Sequence, residues 1–314
     1  MSRAFVFPGQ GAQVIGMGAD LARAHPAAKA VFDEVDEALG ERLSSLIFEG
    51  AQDDLTLTAN AQPALMATSL AAMRALAAEG VEVGQAAFVA GHSLGEYSAL
   101  AAAGALGLGD TARLLRIRGR AMQQAVPVGA GAMAALLGLD FETARAVADE
   151  AAEGEICQAA NDNDPGQVVV SGHKAAVERA VELAKARGAK RAVILPVSAP
   201  FHCDLMAPAA EAMAQALSEV TLVSPEVPLV SNVRAEPVTE PGEIKQLLIA
   251  QVTAPVRWRE SVQAMARDGV TEIWEIGAGK ALSGMIRRID RSLACRTVGT
   301  PEDVTAAVAS LAAR

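Results

Sequence analysis

Short apolar runs that end at glycine or proline turns alternate with alanine-rich stretches of helical length, and no other feature constrains the fold of this chain as much. Ala4-Phe5-Val6-Phe7, Ala87-Phe88-Val89-Ala90 and Glu272-Ile273-Trp274-Glu275-Ile276 are such runs. Strands separated by helices run in the same direction, so the pattern predicts an α/β fold on a mostly parallel sheet. The middle of the chain breaks this rhythm. It reads as strand (131–137), helix (141–153), strand (156–160), a turn at Asp164-Pro165-Gly166, strand (167–171), amphipathic helix (174–187) and strand (191–197). That β-α-β-β-α-β order is ferredoxin-like. The expected organisation is a small domain, 127–197, inserted into a large one made of 1–126 and 198–314, with Pro127 and Pro196 near the crossings.

Composition narrows the function classes. With 51% hydrophobic and 20% charged residues the chain can bury a large core. It shows neither a basic-then-apolar leader nor an uncharged apolar stretch of about 18 residues, so a soluble, cytoplasmic protein without membrane association is expected. Cys157, Cys203 and Cys295 are odd in number and widely spaced, which suggests neither a disulfide framework nor a metal site. A formal net charge of −10 argues against nucleic acid as a partner.

Gly91-His92-Ser93-Leu94-Gly95 matches G-x-S-x-G, follows an apolar strand and precedes a small-residue helix (96–103). Those are the two contexts a nucleophile elbow requires: the flanking glycines allow a tight turn, and the helix start supplies unpaired N–H groups for an oxyanion, with the Leu94 amide as the natural donor. The plainer reading is a Gly-Ser turn that caps a helix.

A nucleophilic serine needs a base, and four histidines are available. His92 adjoins Ser93 on a sharp turn, where neighbouring side chains diverge, so it suits the pocket wall better. His25 and His173 precede helical segments and read as exposed. His202, in Pro196-Val197-Ser198-Ala199-Pro200-Phe201-His202, sits where the chain re-enters the large domain, and is either the base or a partly buried structural histidine. No aspartate stands out as a third member. Asp110, Asp140, Asp149, Asp162 and Asp164 read as helix starts or turns, so a carbonyl is the alternative partner for the imidazole.

The helix read over 111–125 carries four arginines. At about 100° per residue, Arg113, Arg116 and Arg120 share a face expected to be solvated, whereas Arg118 falls among Leu114, Leu115, Ala121 and Met122 on the apolar stripe. A guanidinium there needs an anion. An internal Asp or Glu satisfies that requirement, and so does a substrate carboxylate held by two parallel bonds. Gly277-Ala278-Gly279-Lys280 lacks the spacing of a phosphate loop and reads as a turn. Phe7-Pro8-Gly9-Gln10-Gly11-Ala12-Gln13 reads as a loop whose glycines let backbone N–H groups approach a ligand. Lys190-Arg191 and Arg287-Arg288 are basic pairs suited to docking an acidic partner.

Taken together, these segments resemble the malonyl-CoA:acyl carrier protein transacylase family over essentially the whole chain. The resemblance rests on Phe7-Pro8-Gly9-Gln10-Gly11, Asn60-Ala61-Gln62-Pro63-Ala64, the Gly-His-Ser-Leu-Gly run, Arg118 before Gly119, the segment from Asn161 to Gln167, Phe201-His202, and Gln251 ahead of Pro255-Val256-Arg257-Trp258. It implies a hydrolase-like large subdomain and a ferredoxin-like small one. It also implies an acylated Ser93, His202 as its base, Arg118 as the clamp on the malonyl carboxylate, and a backbone carbonyl of Gln251 that orients His202. The amides of Gln10 and Leu94 would form the oxyanion hole, with Gln62, His92 and Asn161 nearby. Phe201 before His202 is similar to malonyl-selective members, while Ala199-Pro200 departs from a segment that often contains glycine. The implied partners are malonyl-CoA and acyl carrier protein, without metal or redox cofactor, in fatty-acid or polyketide synthesis. A serine acyl hydrolase and a non-catalytic carrier-docking module are the alternatives on the same scaffold.

Overall fold

In a computed structural model, which describes residues 2–312, the three apolar runs become adjacent strands of one sheet. The strands in chain order are β1 (Ser2–Phe7), β2 (Phe88–Gly91), β3 (Gly131–Leu137), β4 (Cys157–Asp164), β5 (Gln167–His173), β6 (Arg191–Ile194), β7 (Leu229–Val230), β8 (Pro237–Val238), β9 (Val270–Ile276) and β10 (Ala294–Val298). One sheet has the order β10-β9-β1-β2-β7-β8 and is parallel except for the terminal β7/β8 pair. Both its faces are covered. Phe5 and Phe7 point into a core shared with the helix Thr58–Ala78, and the alternate residues Ala4 and Val6 into a second core with Trp258, Val262 and Ile286. Burial on both faces explains why these strands read as continuous apolar runs.

The second sheet, β4-β5-β3-β6, is antiparallel throughout and carries the helices Phe141–Ala152 and Lys174–Ala186, which is the β-α-β-β-α-β order read from sequence. Alternation along β3 sends Ala134 and Leu136 to the helices and Met133 and Ala135 to the opposite face, with Val169 and Phe201. That opposite face roofs the cleft described below.

Several boundaries differ from the sequence reading. β4 runs on through Asp164, so Asp162 and Asp164 are strand residues, and Asp149 lies inside a helix rather than at its start. Three polar residues at the end of this buried strand are tolerated because they have partners: Asp162 pairs with Arg259 at 2.7 Å, Asp164 with Arg288 at 2.7 Å, and Asn163 accepts from His92. β6 stops at Ile194, three residues short of the expected end, and the short strands β7, β8 and β10 were not anticipated. Arg116 is buried, not solvated. Its guanidinium bonds the Ala59 carbonyl, the Asn60 side chain and Glu41. Pro63 lies inside the helix Thr58–Ala78 and has no N–H to offer the carbonyl four residues earlier, so Arg116 supplies that donor. His25 and His173 are half-buried. Among the described residues no helix is long and apolar enough to cross a membrane.

The helices Thr58–Ala78 and Leu108–Gln124 cross at Gly119, where an added Cβ would lie 2.6 Å from the Thr58 carbonyl oxygen and 2.7 Å from the Ala59 Cα. That contact is with backbone, which cannot step aside cheaply. Gly119→Ala is therefore expected to destabilise the protein by ~1–3 kcal/mol in urea unfolding, whereas an open helical site would gain from alanine.

Candidate active site

Ser93 stands on the turn between β2 and the helix Gly95–Ala102 with φ of 54°, a left-handed conformation that a non-glycine residue adopts only under constraint. The glycines make the turn feasible. A Cβ on Gly91 would lie 2.0 Å from the backbone of Gly95, and one on Gly95 2.3 Å from the Phe7 carbonyl oxygen. Asn232 then pins the turn from the loop after β7: its Oδ1 accepts from the Ser93 amide at 2.8 Å and its Nδ2 donates to the Gly91 carbonyl at 2.7 Å. The elbow reading therefore holds over the simple helix cap.

His202 lies 2.8 Å from Ser93 Oγ through Nε2, and its Nδ1 lies 2.8 Å from the Gln251 carbonyl oxygen. A carbonyl can only accept, so Nδ1 carries the proton and Nε2 presents a lone pair to the serine hydroxyl. No aspartate is needed. Burial, and next the Arg118 charge, push the imidazole pKa down to about 3, so it stays neutral at ordinary pH. His92 points elsewhere: its Nε2 donates to Asn163 Oδ1 at 2.9 Å.

Arg118 is 1% exposed and forms no ion pair among the described residues. The internal salt bridge left open by the helical pattern is thus absent. Neutral acceptors hold the guanidinium instead, with Gln62 Oε1 at 2.8 Å, Gln251 Oε1 at 2.8 Å and Ser93 Oγ at 3.1 Å, beside the Tyr97 ring. Gln62 and Arg118 meet because the helices approach closely at Gly119.

A cleft of about 510 Å³ opens onto this cluster between the two sheets. It is lined by Gln10, Gln62, His92, Ser93, Leu94, Arg118, Asn161, Phe201 and His202, as well as by the unanticipated Met122, Met133 and Met285. Gln251 lies just behind, fully buried. The Gln10 side chain bonds the Thr58 hydroxyl at 3.0 Å, while the amides of Gln10 and Leu94 make no hydrogen bond among the described residues. The basic pairs lie outside this cleft. Lys190 and Arg191 are exposed at the start of β6, and Arg287 is exposed near the end of the helix Ala281–Ile289. Arg288, expected to be a free surface cation, is instead committed to Asp164 and Gln167.

Two buried residues went unnoticed in the sequence, Asn232 and Glu96. Both Glu96 oxygens accept, one from the Asn232 amide at 2.8 Å and the other from Gln251 Nε2. An acidic residue in the first turn of the elbow helix was visible, but it reads as an ordinary helix-dipole partner.

The buried pair Glu96 and His202 has opposite linkage to folding. His202 titrates near 3 folded and 6.5 unfolded, so its contribution is present above 6.5 and is lost as pH falls toward 3. Glu96 is raised by burial from 4.5 to about 7, so its contribution is present below 4.5 and is lost as pH rises through 7. Between these limits each slope is about 1.4 kcal/mol per pH unit and the two oppose. Urea midpoints measured at pH 6.5 and 4.5 are expected to show a steeper acid loss for Glu96→Gln than for wild type, and a shallower or reversed one for His202→Gln.

The acyl transferase domain family matches residues 4–300. A malonyl CoA-acyl carrier protein transacylase of Bacillus subtilis is 50% identical over 98% of this chain and 96% of its own length, and that of Escherichia coli K12 is 46% identical over 97% and 98%. Among solved structures, an acyl-carrier-protein-S-malonyltransferase from Bartonella henselae superposes with a TM-score of 0.97 at 56% identity, covering 99% of this chain and 100% of that one. A malonyl-transacylase in complex with a type II PKS acyl-carrier protein superposes at 0.96 with 42% identity, over 99% and 100%. With these likenesses spanning nearly the whole chain, it belongs to the acyl transferase domain family and, within it, to the malonyl CoA-acyl carrier protein transacylases.

Proposed function

We propose that this enzyme carries a malonyl group from malonyl-CoA to the phosphopantetheine thiol of acyl carrier protein by way of an ester on Ser93. The observation that carries the reading is Arg118, a fully buried guanidinium beside the nucleophile with only neutral partners. Burying a cation with no carboxylate in contact is costly, and the free carboxylate of a malonyl thioester supplies that contact when its carbonyl sits at Ser93. A general acyl hydrolase has no use for such a group, and a docking module has none for an intact Ser93–His202 pair.

His202 Nε2 takes the proton from Ser93 Oγ as the oxygen attacks the thioester carbonyl. The oxyanion points to the amides of Gln10 and Leu94, which have no other partner among the described residues. When the intermediate collapses, the C–S bond breaks and His202 returns the proton to the departing CoA thiolate. The carrier thiol then gives its proton to His202, attacks the Ser93 ester, and the serine oxygen leaves and is reprotonated. Arg118 holds the acyl carboxylate through both halves. Gln62 and Gln251 keep its fork aimed, and Asn161 and Phe201 wall the acyl space. This chemistry draws on no metal or redox cofactor. We read 127–197 as the subdomain that supplies the roof, the exposed Lys190, Arg191 and Arg287 as candidate contacts for an acidic carrier, and the cytoplasm as the compartment, in keeping with free cysteines.

Intact-mass measurement after incubation with malonyl-CoA tests the reading. Wild type is expected to gain one malonyl group, Ser93→Ala none, and the adduct to discharge onto holo carrier protein faster than onto water. Arg118→Ala is expected to slow malonylation about a hundredfold, the equivalent of two charge-assisted hydrogen bonds, and acetylation far less. Equal losses for the two acyl groups would refute the clamp.

A further inference from the structure

One residue bonds Ser93, His202 and Arg118 alike. The Gln251 carbonyl oxygen accepts from His202, its side-chain Oε1 accepts from Arg118, and its Nε2 donates to the Ser93 carbonyl at 2.9 Å and to Glu96. A glutamine amide is nearly the same shape either way round, so its direction is set by what faces each end. Turned over, it would set an NH₂ group against the Arg118 guanidinium and an oxygen against the Glu96 carboxylate and the Ser93 carbonyl. We propose that Glu96 is a positioning residue for acyl-group selection: its carboxylate fixes the direction of the Gln251 amide and so keeps an acceptor, not a donor, against Arg118.

The geometry assigns Glu96 this part over simple space-filling. It is 1% exposed, and both its oxygens face donors, the Asn232 amide and Gln251 Nε2, an arrangement that only the ionised carboxylate satisfies on both sides. Asn232 also holds the Ser93 amide, so the group that pins the nucleophile and the group that aims the clamp share one anchor. The charged and titratable groups acting on Glu96 are Arg118, from the helix Leu108–Gln124, and Tyr97, on its own helix. Burial pushes the carboxyl up to about 7, so mild acid places a proton between two donors. A protonated Glu96 finds its acceptor in Gln251 Oε1 once that amide turns, which puts the NH₂ group against Arg118. Acidification should then weaken the hold on a charged acyl group while Ser93–His202 stays paired.

This inference rests on Arg118 receiving the malonyl carboxylate. Its test is single-turnover acylation by malonyl-CoA and by acetyl-CoA, followed by intact mass, on the full-length protein. The wild-type malonyl-to-acetyl rate ratio is expected to fall several-fold between pH 8 and pH 6. Glu96→Gln, which sets an amide NH₂ against Gln251 Nε2, is expected to lose at least tenfold more malonyl than acetyl rate. The Glu96→Gln ratio is expected to stay constant between pH 8 and pH 6, because no carboxyl remains there to titrate. A flat wild-type ratio, equal losses for both acyl groups, or a Glu96→Gln ratio that still falls with acidification overturns the proposal. If thermal unfolding shows Glu96→Gln to be misfolded, the wild-type pH series decides. Failure of the wild type to accept malonyl would instead overturn the preceding functional reading and this inference with it, whereas a malonylated wild type with an unselective variant overturns this inference alone.

Discussion

Burying a guanidinium with no carboxylate in contact is costly, and the centre of this molecule is arranged around one, which Glu96 reaches only through space behind Gln251. Arg118 meets three neutral oxygens and no carboxylate. Each comes from a different part of the chain: Gln62 from the helix Thr58–Ala78, Ser93 from the elbow, and Gln251 from the end of the helix Pro241–Ala250. Holding them within bonding distance demands the close helix approach at Gly119, the left-handed turn at Ser93 and the buried Glu96–Gln251 contact together. The burial that encloses Arg118 also keeps His202 neutral, with the Arg118 charge as the second cause.

The cleft needs its roof for the same electrostatic reason, since excluding water strengthens every interaction inside it. The four-stranded sheet supplies Met133, Ala135 and Val169, and polar contacts lock it over Ser93. These are Asp162 with Arg259, Asp164 with Arg288, His92 with Asn163, and a two-bond bridge between the 160–162 backbone and Val256. The segments around Asn161 and Val256, distant in sequence, therefore meet in space.

Much of this was legible in the linear chain. The α/β class followed from apolar runs of strand length, and the tight turn at Ser93 from glycines on either side of a serine after such a run. Arg118 was separated from its neighbours by helical angle alone. The same angle misjudged Arg116, because the carbonyl it satisfies was freed by a proline on another helix. β4 was read too short because its polar residues look like loop until their partners are known. Asn232 and Glu96 carried no recognisable pattern, as each works through a contact more than a hundred residues away.

What the sequence determined by itself are properties carried by neighbouring residues: strand and helix periodicity, the steric demands of the elbow, and the presence of a cation on an apolar stripe. Tertiary structure decided the properties that belong to pairs. It left Arg118 without a carboxylate in contact, gave His202 a carbonyl in place of an aspartate, and turned the Gln251 amide so that its oxygen meets Arg118. Periodicity reports which way a side chain points, but the sign and protonation of what waits there depend on distance and desolvation, which only the folded chain sets.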